Sequence, residues 1–232
     1  APSSHYTVKM KADEHQLEAL GFPTAGLIAG PMTLQVEAWG RGKKMAGGRV
    51  LADAGETELI ANPLSWRKPK DLAANISFDF AMPPGGETGA ILDNFTITGK
   101  DIDVSGRLVF EPAGPPGFIR MDRLKLGAHN DLSGEARRNS DGVYQINVKG
   151  KRADLSQSIT ELRKSGGMPD PTEKKLAYTI EGQVSQVSLR EGNVLHDVIA
   201  RGNYGGRDFT RLDVDGNYGG EKKVTLRFKP GP

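Results

Sequence analysis

Histidine and carboxylate side chains are the groups in this chain with the means to hold a metal or move a proton, and their spacing decides whether they do. The four histidines, His5, His15, His129 and His196, stand at no ligand-like interval from one another, and the sequence holds no cysteine. A zinc site would have to gather imidazoles and carboxylates from distant segments without any thiolate. Asp101-Ile-Asp-Val-Ser-Gly106 imitates the start of a calcium-binding loop, yet its twelfth position is Pro112 instead of a bidentate glutamate. Gly85-Gly-Glu-Thr-Gly89 lacks the Lys-Ser/Thr pair of a phosphate-binding loop, and no Gly-x-Ser-x-Gly elbow occurs. Asp213 and Asp215 share one face of an alternating run, where solvation is their expected role. A glycan hydrolase is the remaining enzymatic reading, and no pair of carboxylates stands out of the strand pattern to support it. The expectation is a non-catalytic chain with no metal and no cofactor.

Charge narrows the partners further. Lys and Arg number 31 against 29 Asp and Glu, for a net charge of +2, and the signs are interspersed. Nucleic acid binders need a concentrated basic surface, which is missing here. Asn75-Ile-Ser77 and Asn94-Phe-Thr96 match the N-glycosylation pattern, but nothing else points to a eukaryotic secretory route. No apolar run approaches the roughly 20 residues that cross a bilayer, and no signal-peptide pattern opens the sequence.

The elements that must carry these residues are strands. The alternating runs of Leu124-Lys-Leu-Gly-Ala-His-Asn-Asp-Leu-Ser-Gly134 and Tyr144-Gln-Ile-Asn-Val-Lys-Gly150 are separated by Asp141-Gly142, a dipeptide suited to a tight hairpin. Met32, Leu34, Val36 and Ala38 alternate with Thr33, Gln35, Glu37 and Trp39, and Ile76, Phe78, Phe80 and Met82 with Ser77, Asp79 and Ala81. The same reading predicts strands over 95–98, 102–110, 119–126, 144–148, 176–187, 194–204, 210–218 and 224–228. Pro83-Pro-Gly-Gly86, Pro112-Ala-Gly-Pro-Pro-Gly117 and Gly205-Gly206 punctuate them. Gly202-Asn-Tyr-Gly-Gly206 recurs as Gly216-Asn-Tyr-Gly-Gly220, which reads as two similar hairpin tips.

Two short helices interrupt the pattern. Asp13 caps residues 14–20 with Gln16 completing a capping box, and Gly21 and Pro23 end the segment. Residues 154–164 form the second, with Ser158 and Glu161 as its expected capping box and Leu155, Ile159 and Leu162 on one face. Residues 165–175 are the expected mobile loop. Thirty glycines and a 22% share of Leu, Ile, Val and Phe describe a chain with many turns and a modest core, organised as one elongated β-repeat fragment over 1–232.

Several stretches lie in collinear order: Leu20-Gly-Phe-Pro23, Gly30-Pro-Met-Thr-Leu-Gln-Val36, Leu64-Ser-Trp-Arg-Lys-Pro69, Leu126-Gly127, Asp131-Leu-Ser-Gly134, Gly150, Asp154-Leu-Ser156, Gly219-Gly220 and Leu226-Arg-Phe228. Together they resemble the C-terminal half of bacterial AsmA-like envelope proteins of the YhdP and TamB kind, over most of residues 13–229. Trp66-Arg-Lys-Pro69 is the sharpest match. The resemblance implies a periplasmic segment of an inner-membrane-anchored Gram-negative protein. In that family repeated strands build a curled, taco-like groove that carries phospholipid towards the outer membrane, with envelope proteins at either membrane as partners. The family's N-terminal transmembrane helix and its tail are not in the sequence, which is therefore read as a fragment.

The residues support a compatible architecture on their own. An apolar sheet face must be covered, since burying each Leu or Phe is worth about 1.5–3 kcal/mol. Two short helices are too little cover for so many strands. The expected fold is thus all-β, an elongated, mostly antiparallel, curled sheet with two short helices. Its apolar face, expected to contact an acyl-chain lipid, comprises Ile76, Phe78, Phe80, Ile102, Val104, Leu108, Phe110, Tyr144, Ile146, Val148, Leu212, Val214, Leu226 and Phe228. The alternative is a structural or adhesive β-sandwich in which the same alternation supplies an ordinary core. Trp39 and Trp66 are expected in the core, because large aromatics are mostly buried. With no ligand cluster legible, chelators should leave the melting temperature unchanged and zinc or calcium should not raise it. A calorimetric shift of several degrees with either ion would reveal a site that the spacing hides.

Overall fold

Alternating stretches become strands in the structure, a computed structural model that describes residues 3–19, 26–42, 44–84, 89–112, 114–164 and 176–229. In chain order the strands are β1 (Ser3–Ala12), β2 (Ile28–Ala29), β3 (Met32–Arg41), β4 (Lys44–Asp53), β5 (Glu58–Ala61), β6 (Trp66–Lys68), β7 (Ala74–Ala81) and β8 (Ile91–Gly99). They continue as β9 (Ile102–Phe110), β10 (Pro116–Leu126), β11 (Asn130–Arg138), β12 (Tyr144–Asp154), β13 (Tyr178–Ser188), β14 (Val194–Tyr204), β15 (Phe209–Tyr218) and β16 (Lys222–Phe228). Two helices, α1 (Glu14–Ala19) and α2 (Ser156–Lys164), accompany them. A 13-stranded sheet runs β1-β3-β4-β7-β8-β9-β10-β11-β12-β13-β14-β15-β16 and does not close into a barrel, while β2, β5 and β6 form a small second sheet. The all-β, mostly antiparallel class with two short helices is therefore the fold of this chain.

Local chemistry explains the agreements and the departures. Asp13 Oδ1 accepts the Gln16 N–H at 2.9 Å and Gln16 Oε1 accepts the Asp13 N–H at 3.0 Å, so the expected capping box opens α1. For α2 the cap is different. Asp154 Oδ1 takes the Ser156 N–H at 3.0 Å, and Ser158, expected to cap, donates its hydroxyl to Pro63 O at 3.1 Å. The expected helix end over Leu20–Pro23, the loop 165–175 and the side chains of Glu161 and Leu162 lie outside the described residues.

The Asp141-Gly142 turn is looser than a two-residue hairpin. Asn139 closes it, accepting the N–H groups of Asp141 and Val143 on Oδ1 at 3.0 and 2.9 Å, and only Gly142 takes a positive φ, +80°. Both Gly-Asn-Tyr-Gly-Gly copies end strands as expected, with φ of +91° at Gly206 and +61° and +86° at Gly219 and Gly220.

β4 lies outside the expected strands and carries Gly47-Gly48 in its interior. A Cβ at Gly48 would stand 2.4 Å from Phe80 Cε1, so this glycine lets a phenylalanine ring lie across the strand beside it. One adjacent pair, β12 with β13, is parallel, and α2 lies in the connection between them, as a parallel pair requires.

Contacts divide the chain into two compact units. Unit 1 holds Ala1–Ala61 and Trp66–Asp122. In it the small sheet and α1 contribute Leu59 and Leu17 to the buried set, and Lys68 is buried with its Nζ donating to Pro69 O at 2.9 Å and Leu72 O at 2.7 Å. Burial holds that ammonium below the ordinary lysine range, opposed by Asp71 and Asp53 nearby. Trp39, expected in the core, is 46% exposed, because the odd-numbered face of β3 is the polar one.

Unit 2 holds Asn62–Ser65 and Arg123–Pro232 around a core of Leu132, Ala153, Val184, Val187 and Val198, against which Leu64, Leu124 and Leu155 pack. Asn130 ties this core together. Only 2% exposed, it donates Nδ2–H to Leu64 O at 3.0 Å and accepts the Asp154 N–H on Oδ1 at 2.9 Å. Asn130→Ala strands both backbone groups, and a loss of about 1–3 kcal/mol is expected at unchanged m-value in urea denaturation.

Candidate functional site: the apolar face of the sheet

Residues directly opposite one another in a ladder point to the same side of a sheet, so the register assigns every side chain to a face. In unit 1 three rows cross the strands: Met10–Leu34–Ala52–Ile76–Ile97–Val104, Val8–Val36–Val50–Phe78, and Tyr6–Ala38–Gly48–Phe80–Leu92–Leu108. A bulge at Asn94, with φ of +52°, carries Phe95 to the same face, its ring centroid 6.4 Å from that of Phe78. Apart from the Tyr6 phenol, no polar side chain enters these rows.

Unit 2 repeats the arrangement. Ala136–Ile146–Ile180–Gly202–Leu212–Phe228 and Gly134–Val148–Gly182–Ala200–Val214–Leu226 run from β11 to β16 without a polar member. Gly202 lets neighbours close over the backbone: a Cβ there would meet Ile180, Leu212 and Phe209 side chains, each at 3.3 Å. Beside these rows Tyr144, Tyr178 and Tyr204 are register partners, and Tyr178 stacks on Tyr204 at 5.0 Å with Phe209 edge-on to Tyr204 at 5.3 Å. Burial, with the neighbouring Tyr204 as a second cause, raises the Tyr178 phenol above its ordinary range.

Of the residues anticipated for an apolar face, Ile76, Phe78, Phe80, Ile102, Val104, Leu108 and Phe110 share one side of the strands in unit 1, and Tyr144, Ile146, Val148, Leu212, Val214, Leu226 and Phe228 share one side in unit 2; Ile102 and Phe110 follow from their alternation with Val104 and Leu108 in β9. Their surroundings differ. Ile102, Val104, Phe78 and Tyr144 are closed off by protein, with Val104 only 3% exposed. Ile76, Phe80, Leu108, Phe110, Ile146, Val148, Leu212 and Val214 are half-buried. Leu226 and Phe228 are 46% and 45% exposed. The sequence reading missed Tyr178, Tyr204, Phe209, Leu92, Phe95 and Ile97, although period-two counting from Ile180 reaches Tyr178.

The opposite face is polar and carries a set of ion pairs. Arg49 donates Nε–H and Nη2–H to the two Asp79 oxygens at 2.6 and 3.2 Å, and Asn94 Nδ2 adds a third bond at 2.8 Å. Arg107 holds Asp93 at 2.8 Å. Asp213, expected to be solvated, is buried beside Arg211, whose Nε donates to it at 2.6 Å. Arg227 grips both oxygens of Asp215 at 2.8 Å. A cleft of about 350 Å³ in unit 2 is lined by the polar residues Gln145, Asn147, Thr179, Glu181, Arg201, Asn203 and Arg211 together with Ile146, Ile180 and Gly202. Among the described residues no three histidine or carboxylate groups gather in metal-holding geometry.

Comparison with family models, with curated proteins and with solved structures returns no match to this chain. No helix among the described residues is long and apolar enough to cross a membrane.

Hydrogen bonds from Arg49, then Asn94, hold the Asp79 carboxyl below the ordinary aspartate range, and those from Arg227, then Thr225, do so for Asp215. A depressed carboxylate contributes stability that is complete above the unfolded aspartate value near 3.9 and is lost as pH falls through the folded value. The difference in urea midpoint between the protein and Asp79→Asn is therefore expected in full at pH 6 and should shrink progressively as pH falls below the unfolded aspartate value.

Proposed function

We propose that the apolar face takes up acyl chains, and that this chain is a non-catalytic segment of a periplasmic, inner-membrane-anchored protein that carries phospholipid towards the outer membrane. The single observation that carries the reading is the pair of unbroken apolar rows in unit 2. Their residues are half-buried from Ile146 to Val214, save the buried Gly202, and reach nearly half exposure at Leu226 and Phe228. Soluble proteins rarely leave contiguous apolar surface of this kind without a use for it, and a hydrocarbon chain lying along a row needs no hydrogen bond in return. Matched ion pairs on the other face supply the wetted side. The envelope location and the direction of transport rest on the resemblance of Trp66-Arg-Lys-Pro69 and its collinear companions to AsmA-like proteins.

Native mass spectrometry of the chain purified from a Gram-negative host is expected to show bound phospholipid. Ile146→Asp and Leu226→Asp place an ion where acyl chains would lie, so these variants should stay folded and lose the lipid. Val104→Asp, in a position packed by protein, should instead unfold with a loss beyond about 4 kcal/mol. Absence of lipid from the unaltered chain, or lipid retained by both folded variants, would overturn the proposal.

A further inference from the structure

Ion pairs give way to neutral side chains at one place on the polar face of unit 2. Two neighbouring rows there read Gln145–Thr179–Asn203–Arg211 and Asn147–Glu181–Arg201–Asp213 from β12 to β15. Thr179 is short and half-buried, while Gln145 and Asn203 on the strands either side of it are longer and exposed. These residues line the cleft of about 350 Å³, a volume at the lower end of the roughly 300–1,000 Å³ of small-molecule sites. The charges around it are already engaged: Arg211 donates to Asp213, and Arg201 stands 3.9 Å from Glu181. The neutral groups are not. Among the described residues the side chains of Gln145, Asn147, Thr179 and Asn203 make no hydrogen bond within the protein, so three carboxamides and one hydroxyl face the cleft with their donors and acceptors unspent.

We propose that this cleft is a binding site for a neutral saccharide. A sugar hydroxyl donates and accepts at once, and carboxamides beside a hydroxyl answer it in both senses. An anion would meet arginines that carboxylates already hold, and an apolar ligand would take the carboxamides out of water without replacing their hydrogen bonds. The site does not depend on the acyl-chain reading, because Gln145, Thr179 and Asn203 alternate with Ile146, Ile180 and Gly202 of the apolar row and so point to the other side of the same strands.

Two-dimensional NMR of the intact chain reads the site through the side-chain amide signals of Gln145, Asn147 and Asn203, with Gln183, on the same face of β13 but outside the cleft, as the control. Glucose, N-acetylglucosamine and maltose are the neutral probes, glucuronate and glucosamine the charged counterparts of glucose, and a blocked trialanine the peptide. At least one neutral sugar is expected to shift the three cleft signals saturably, to leave Gln183 in place, and to bind about tenfold or more tightly than either charged sugar or the peptide. Gln145→Ala/Asn203→Ala should weaken that binding by about tenfold, and Thr179→Gln, which fills the middle of the cleft, should abolish it, with the melting curves of both variants unchanged. No saturable shift with any neutral sugar, an equal shift of Gln183, equal or tighter binding of a charged sugar or the peptide, or folded variants that bind as before would each overturn the assignment.

Discussion

A residue in a strand and the residue opposite it on the next strand must point to the same side of the sheet, and one slip of register would turn every apolar side chain outwards. This protein obeys that constraint across long rows. The bulge at Asn94 keeps Phe95 beside Phe78 and thereby restores the phase between β7 and β8. Glycines at 48 and 202 keep it where a larger side chain would push neighbouring strands apart. The charged partners on the other face make a shifted pairing unfavourable, since Arg49 would leave Asp79 and Arg227 would leave Asp215.

Much of this was legible in the sequence, because alternation is a local signal. The limits of β9 and β14 agree with the expected spans, and the capping residues of α1 were readable from Asp13 and Gln16. β1 alternates too, in Tyr6, Val8 and Met10, and lies outside the expected strands. What failed was whatever depends on a partner distant in sequence. Nothing local shows that Gly48 makes room inside a strand for the Phe80 ring. Ser158 looks like a cap unless Pro63 is known to accept its proton. Asp213 looks solvated unless Arg227 is known to lie opposite it on β16. The apolar face was predicted in composition and not in burial: nothing local distinguishes Val104, closed in by protein, from Phe80, which is half open.

The two faces divide the physical work of the chain. Exposed ion pairs each contribute little to stability and are screened by salt, so they act chiefly on register. The apolar rows contribute most of the favourable free energy where they are covered, and elsewhere leave apolar surface half open. Asn130 and Lys68 are exceptions to this division. Each is a polar side chain taken wholly inside to satisfy backbone groups that no strand reaches.

The order of strands has a kinetic consequence. From β7 to β12, and again from β13 to β16, each strand lies beside its successor in sequence, so these runs can grow by closing one short loop at a time. Only the joins β1 to β3, β4 to β7 and β12 to β13 close longer connections, and loop entropy rises only with the logarithm of length. Contact order is therefore low for so wide a sheet, and folding has no need of a single nucleus; it can begin in either run and spread, as in a solenoid. Such a chain also loosens from its margins. Local opening is easiest at β16, whose side chains are nearly all exposed, so the strand that forms the margin exchanges its amide protons while β9 is still protected.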